Sequence, residues 1–322
     1  MAQVTVSDEF NPLRIQRKTC VAEHIYLFEL VSPEGGELPP FEAGAHVTLE
    51  TPNGAHRRYS LCNDPAETHR YVLVIKADPQ GRGGSLSLAK ETKEGDTLLV
   101  SSPGNNFPLQ PATEYVFIAG GIGITPIMSM LRELKRRGVE NFRLIYCTRN
   151  PQGTAFLEEL SGPHFAGHVT LHHDNGDPAQ VYDLWPLFEK PTGAQFYCCG
   201  PTPMLTEIRD MSGHWPGSAI HMEDFGSDIE VHKVDDRAFS VCHADSGECV
   251  EIPAHATILE TLREKGHRLP SSCESGTCGT CKTPLLEGEA DHRDMVLSEE
   301  EKKQFIMICV SRALSEKLVL RW

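Results

Sequence analysis

The sequence predicts a multidomain protein: a small antiparallel β-barrel, then a doubly wound α/β domain, then a small C-terminal α+β domain. Three observations predict it. Residues 1–110 break into short β-branched and aromatic segments between proline- and glycine-rich turns. Over 111–228 compact apolar strands alternate with helical patterns. Past a polar stretch at 229–236, residues 237–322 carry a hairpin, one amphipathic helix and a cysteine-rich loop. At 322 residues the chain is long enough for each part to bury its own core.

In chain order, "EHIYLFELV" and "HVTLETPNG" read as strands, and "YVLVIKAD" is a near-continuous apolar run. "SPEGGELPP" and "SSPGNN" separate them, and strands at this spacing suggest a small antiparallel barrel. In "PATEYVFIAGGIGITPIMSMLREL" a strand enters a glycine-rich turn and then a helix with Ile127, Met130 and Leu131 on its apolar side. "FRLIYCT" is a further strand, and "QFYCCGP" is another, followed by the helix "TPMLTEIRDM". "SDIEVHKVDDR" has few apolar anchors and reads as a linker. "AFSVCHADSGECVEIP" reads as a hairpin turning at Ser246 and Gly247, and "ATILETLREKG" as a helix closed by Gly266.

Composition narrows the function classes. The opening "MAQVTVSDEF" has neither a basic nor an apolar leader region, and the longest uncharged run is broken by glycines and a proline. The expectation is a soluble cytoplasmic protein with no membrane segment. Eleven cysteines in a reducing compartment point to metal or redox use, with the remainder buried as small apolar residues. A net charge of −15 argues against nucleic acid, whose phosphates would repel it, and suits solubility or docking on a basic protein patch.

Three stretches carry chemistry. Cys273, Cys278 and Cys281 stand at C-x4-C-x2-C, with Cys309 further on in "FIMICVSRA". That is the plant-type [2Fe–2S] spacing, in which four thiolates surround a cluster with bridging sulfides. Gly276 and Gly279 let backbone N–H groups approach those sulfurs. Zinc and a redox dithiol remain the alternatives. A Rieske centre would need histidines in place of two thiolates, and no C-x-H pair occurs. The turn "AGGIGITP", with Gly120, Gly121 and Gly123, opens a helix whose N-terminus can receive a pyrophosphate; an ordinary strand–helix turn reads the same way, since the third glycine of the dinucleotide fingerprint is missing. Cys199, Gly200 and Pro201 in "YCCGP" end a second strand at the same edge, where Cys199 could face a nicotinamide. "RRYS" and "GRGGS" offer Arg57 and Arg82 to a phosphate monoester beside the backbone of Gly83, Gly84 and Ser85. Tyr59 can lie against a flat ring whose edge Ser60 hydrogen-bonds. Two basic turns on a barrel are otherwise solvated loops.

"RRYS", "GGIGITP", "YCCGP" and C-x4-C-x2-C, in this order, resemble the ferredoxin–NADP reductase superfamily with a ferredoxin fused at the C-terminus. "YSLCNDP", "GRGGS", "SSCESGTCG" and "GEADHRDMVL" extend the likeness, nearly end to end, to the phthalate dioxygenase reductase family. The resemblance implies a flavin barrel, a nucleotide-binding α/β domain and a β-grasp ferredoxin-like domain. It implies FMN, NADH and a [2Fe–2S] cluster, with a terminal Rieske-type oxygenase as electron acceptor. It implies FMN contacts at Arg57, Tyr59, Ser60, Val74, Ile75, Lys76 and Arg82 to Ser85, with Thr125 near both cofactors. Phe225 would cover the isoalloxazine, and Ser60, Cys199 and Phe225 would line the hydride path. Asn150 stands where similar reductases carry an acid, which leaves the choice between NADH and NADPH to be settled. A vanillate O-demethylase reductase fits the same motifs, and a redox sensor or a zinc-stapled module would be a different class of protein. Residues 291–303, "DHRDMVLSEEEKK", read as a charged, solvent-exposed loop and helix start.

Overall fold

The computed structural model describes residues 10–81, 83–225, 236–254, 256–267, 269–270, 276, 279–294 and 296–322. The chain divides into two units, Met1–Glu223 and Asp224–Trp322.

The first unit begins with β1 (Asn11–Ala22), β2 (Ile25–Val31), β3 (His46–Glu50), β4 (His56–Ser60), β5 (Tyr71–Lys76) and β6 (Thr97–Val100). They form an antiparallel sheet in the order β4-β3-β6-β1-β2-β5. Its two outer strands meet where Leu61 bridges Leu73 and the Cys62 N–H donates to the Val72 carbonyl at 2.8 Å. The sheet thereby closes on itself, leaving no free edge. Side chains of β5 alternate between two cores. Leu73 and Ile75 fill the barrel with Phe28, Leu30 and Val47, while Val72 and Val74 join the core beneath the next sheet. Burial on both faces explains the unbroken apolar run.

Several elements have no counterpart in the sequence reading, among them β1, β6 and a helix that follows β5. Helix α1 (Gly84–Glu91) buries only Gly84, Ser87 and Leu88, too few apolar positions to signal a helix. Its C-terminus is held by Lys18, whose Nζ donates to the carbonyls of Leu88 (3.1 Å), Ala89 (2.7 Å) and Thr92 (2.5 Å). A cation there offsets the negative end of the helix dipole.

Next comes a parallel sheet of β7 (Tyr115–Gly120), β8 (Phe142–Thr148), β9 (Val169–His173), β10 (Gln195–Cys199) and β11 (Ile220–Glu223), ordered β11-β10-β7-β8-β9. The connections carry α2 (Ile124–Arg136), α3 (Leu157–Ser161), α4 (Trp185–Phe188) and α5 (Thr202–Met211). Residues Ile124 to Leu131 of α2 are all buried, so its start lies within the core. Strand order reverses between β7 and β10, the switch point at which doubly wound sheets bind ligands.

The second unit carries β12 (Phe239–His243), β13 (Cys249–Ile252), α6 (Ile258–Glu264), β14 (Lys282–Glu287), β15 (Ala290–Asp291), β16 (Phe305–Met307), β17 (Arg312–Ala313) and β18 (Lys317–Leu320). The main sheet runs β13-β12-β18-β14-β16, with β12 and β18 parallel, and α6 packs Ile258, Leu259 and Leu262 into its core. This is the β-grasp arrangement. Helix α6 starts in a capping box between Thr257 and Glu260 and ends with Gly266 at φ +90°.

Two expectations change. The stretch at 291–303 is not uniformly solvated: the Arg293 and Asp294 side chains are 6% and 0% exposed, whereas Glu299 and Glu300 are open to solvent. Arg293 is paired with Asp236 and Asp291, and the Asp294 carboxylate accepts the Val296 and Leu297 N–H groups at 3.2 and 2.8 Å, which permits those charges to be buried. The cysteines outside the cluster motif are not all inert core residues either. Cys62, Cys198 and Cys199 are buried, but Cys20 is exposed and Cys242 is disulfide-bonded to exposed Cys249.

Candidate functional site

At the barrel rim, β3 and β4 pair His46 with Ser60, Val47 with Tyr59 and Leu49 with Arg57. Residues directly opposite share a face. Arg57 and Tyr59 therefore lie on the face of Val47 and Leu49, and Ser60 lies on the other with His46. Tyr59 packs against the barrel core, and burial raises its phenol well above the usual range, so it stays neutral. Arg57 lies across the start of α1: a Cβ on Gly84 would stand 2.8 Å from the Arg57 Cγ and 3.3 Å from its Nε. Helix N-termini present unpaired N–H groups, and the first turn of α1 carries no acid. Gly83 enters that helix at φ +82°, a left-handed conformation that disfavours a side chain. The Arg57 side chain, the first turn of α1 and the Ser85 hydroxyl thus share one corner; Arg57 Nη1 donates to the His56 carbonyl at 2.8 Å, and Ser85 Oγ accepts the Asp78 N–H at 3.2 Å. Val74 is buried, Ile75 turns into the barrel and Lys76 is exposed at the end of β5. Arg82 lies outside the described residues.

At the carboxyl edge of the parallel sheet, the two glycine-bearing turns touch. A Cβ on Gly123 would lie 2.2 Å from the Cys199 carbonyl oxygen and 2.8 Å from the Gly200 nitrogen. One on Gly120 would lie 2.5 Å from Pro201 Cδ. One on Gly200 would lie 3.0 Å from Gly120 Cα. Gly121 differs: its φ is +53° and the space above it is open. Gly120, Gly123 and Gly200 let two main chains meet, while Gly121 turns the chain at the opening. Thr125 is buried, with Oγ1 donating to the Ile122 carbonyl at 3.0 Å. Cys199 is buried in the core with Ala119 and Ile124 and has no surface open to solvent. Phe225 is 38% exposed and belongs to the second unit.

Beside the end of β8 stands a group that the sequence reading missed. Asn150 caps the turn that follows, its Oδ1 accepting the Gly153 N–H at 2.7 Å. The acid comes instead from the neighbouring strand. Asp174 N–H donates to the Thr148 carbonyl (3.2 Å) and Asn175 N–H to that of Arg149 (2.8 Å), which sets Asp174 beside Arg149. Its carboxylate contributes to holding the Cys147 thiol up, at about 11, although burial is the larger cause. The carboxylate would be recognisable from sequence only with the register of β8 and β9 known.

In the second unit Cys281 and Cys309 are both buried. Lys282 of β14 pairs with Met307 of β16. Cys281 precedes the paired Lys282 by one residue and Cys309 follows the paired Met307 by two, and both belong to the same core cluster. Gly276 and Gly279 have φ +72° and +79°, and a Cβ on Gly276 would also strike Val310 Cγ2 at 2.7 Å. Cys273 and Cys278 lie outside the described residues.

Two family models match the chain: a 2Fe-2S iron-sulfur cluster binding domain over residues 242–314 and an oxidoreductase NAD-binding domain over 117–166. The phthalate dioxygenase reductase of Burkholderia cepacia is 51% identical, over 97% of this chain and 98% of its own. The phthalate 4,5-dioxygenase oxygenase reductase subunit of Pseudomonas putida is 52% identical, over 98% of each. A solved phthalate dioxygenase reductase, described as a modular structure for electron transfer from pyridine nucleotides to [2Fe-2S], superposes with a TM-score of 0.86, at 50% identity over 98% of both chains. With these likenesses running through all three parts of the molecule, the chain belongs to the family of phthalate dioxygenase reductases, the iron–sulfur oxidoreductases of oxygenase systems.

Proposed function

We propose that the chain is the reductase component of a Rieske-type aromatic-ring oxygenase system acting on phthalate, passing electrons from NADH through FMN and a [2Fe–2S] cluster to the oxygenase. The observation that carries this reading is the 51–52% identity to two phthalate system reductases over 97–98% of both chains. The working boundaries are 1–110 for the flavin barrel, 111–228 for the nucleotide domain, 229–236 for the linker and 237–322 for the cluster domain. The cytoplasm is the proposed location; among the described residues no helix is long and apolar enough to cross a membrane.

The residues present fit the cofactors. Arg57, the α1 N-terminus and Ser85 suit the dianionic phosphate monoester of FMN. Tyr59 offers a neutral ring to the isoalloxazine, and Ser60, Val74 and Lys76 flank it. Cys281 and Cys309 are two of the four thiolates, and Cys273 and Cys278 are the others by spacing. Bound FMN accepts a hydride's electron pair and releases electrons singly to a one-electron centre. The chain's own work is to anchor the phosphate, admit the pyrophosphate at Gly121 and keep water from the joined turns at Gly123 and Cys199.

Replacing Arg57 with alanine removes a charge-assisted contact of about 1.5–3 kcal/mol, so FMN binding weakens roughly ten- to a hundredfold. Arg57→Lys recovers part of the loss, because an ammonium lacks the guanidinium fork. The fluorescence of released flavin on serial dilution measures both. For the nucleotide, Asp174 is the group that a 2′-phosphate must approach. Asp174→Ser therefore raises kcat/KM for NADPH by about tenfold, equivalent to removing roughly 1.4 kcal/mol of repulsion, while NADH use falls. An unchanged NADPH/NADH ratio in steady-state assays would move the discrimination elsewhere.

The reading as a whole is tested by anaerobic NADH titration, followed by turnover with purified oxygenases. Flavin and cluster absorbance should bleach together, and a phthalate oxygenase should then be driven in preference to a vanillate demethylase. Exclusive coupling to the demethylase overturns the phthalate assignment. Failure of NADH to bleach either chromophore overturns the reductase.

A further inference from the structure

We propose that Cys242 and Cys249 form a reversible dithiol–disulfide pair, a redox modification site in the cluster domain separate from the cluster ligands. The two residues face each other in the β12–β13 ladder, with Cα atoms 4.0 Å apart, and are joined by a disulfide. Flanking them, the His243 N–H donates to the Glu248 carbonyl and the Gly247 N–H to the His243 carbonyl, both short backbone bonds that lock the hairpin register. The register alone brings the sulfurs together, because opposed side chains of an antiparallel pair stand on one face. Neither cysteine belongs to the C-x4-C-x2-C motif or to Cys309.

Access makes the pair reactive as well as adjacent. β13 is the edge strand of its sheet, and Cys249 is exposed, whereas Cys242 is buried. An oxidant or a thiol in solution can reach one sulfur, and the second stands directly behind it to resolve the product. Two further features set the pair apart from a structural staple. Cys20, Cys62, Cys147 and Cys198, outside the cluster motif, form no disulfide, and Cys20 among them is exposed. The same chain also depends on thiolates at Cys281 and Cys309 to hold its cluster, so it must work where thiols survive.

The proposed chemistry balances with a hydroperoxide as oxidant. The Cys249 sulfur attacks the O–O bond and is oxidised to a sulfenic acid, releasing water or an alcohol. The Cys242 thiol then attacks that sulfur. The S–S bond forms, hydroxide leaves, and the Cys242 proton converts it to water. In reverse, a dithiol reductant attacks the exposed Cys249 sulfur, closes its own disulfide and returns both thiols.

The test is differential alkylation of the folded holoprotein, with mass spectrometry of the peptide spanning 242–249. After treatment with dithiothreitol and its removal, both cysteines should take the label. After one further treatment with hydrogen peroxide neither should, with flavin and cluster absorbance retained throughout. The closed form should melt several degrees higher, followed by loss of cluster absorbance, since the bond restrains the unfolded chain. In Cys249→Ser, at the exposed position, that peroxide-dependent shift should vanish, while NADH-driven flavin reduction keeps its rate. Two results overturn the proposal: labels still taken up in full after peroxide, or a bond that no thiol opens until the protein is unfolded.

Discussion

Gly123→Ala is expected to slow NADH-dependent flavin reduction by about a hundredfold, the size of effect that a displacement of roughly 1 Å at a reacting centre produces. The cause is steric. The added methyl would sit 2.2 Å from the Cys199 carbonyl oxygen, 2.5 Å from its carbon and 2.8 Å from the Gly200 nitrogen. All three are main-chain atoms of β10 and the turn beyond it, so no side-chain rotation relieves the contact. The β7 turn and the β10 turn must separate, and with them the two halves of the nucleotide edge. Gly121→Ala, two residues away, provides the contrast: it leaves the two turns joined and acts only at the opening for the pyrophosphate, on NADH binding. Its Cβ meets nothing within 4 Å, and only the left-handed backbone at φ +53° opposes it, at about 1–2 kcal/mol. Stopped-flow reduction of the two variants, with circular dichroism to confirm folding, separates them. A Gly123→Ala protein that reduces at the parental rate would show that the turns yield freely.

That contrast illustrates what the sequence could carry. "GGIGITP" located the turn, yet the division of labour among its glycines depends on β10, some seventy residues further on, lying beside it. Strands β2, β3 and β5 of the barrel were legible because alternation or a two-sided apolar run follows directly from burial, as in β5. Helix α1 was not: it needs few apolar contacts because Lys18, remote in sequence, ties down its C-terminus. Asp174 escaped for a similar reason, since the acid beside Arg149 arrives from the neighbouring strand and not from the loop where one was sought. The cluster was legible in the local C-x4-C-x2-C spacing, and the 2Fe-2S domain model over 242–314 agrees with it; of the four proposed ligands only Cys281 and Cys309 are among the described residues. Residues 291–303 misled most, because a charge run looks solvated until its partners are known.

Those partners make Asp236 the residue whose loss should cost the cluster domain most stability outside the cluster itself. Asp236 lies at the end of the expected linker, yet its side chain is only 7% exposed. It takes two bonds from Arg293, Nη1 to Oδ2 at 2.9 Å and Nη2 to Oδ1 at 2.5 Å, and approaches Arg312 Nε at 3.5 Å. Asp291 shares Arg293 at 2.6 Å, and Arg312 is further fixed by the carbonyls of Ala256 (2.6 Å), Arg237 (3.1 Å) and Pro253 (3.0 Å). Two guanidiniums thus meet around one buried carboxylate. Asp236→Ala leaves both cations buried with less compensating charge, a loss of about 3–5 kcal/mol. Arg293→Met costs less, because Asp236 keeps Arg312. The double variant should lose clearly less than the sum of the two, the signature of a coupled pair. Urea titration followed through cluster absorbance measures all three. Strict additivity would mean that these charges are solvated, and that the polar stretch from 229 ends in an ordinary surface turn and not in an anchor.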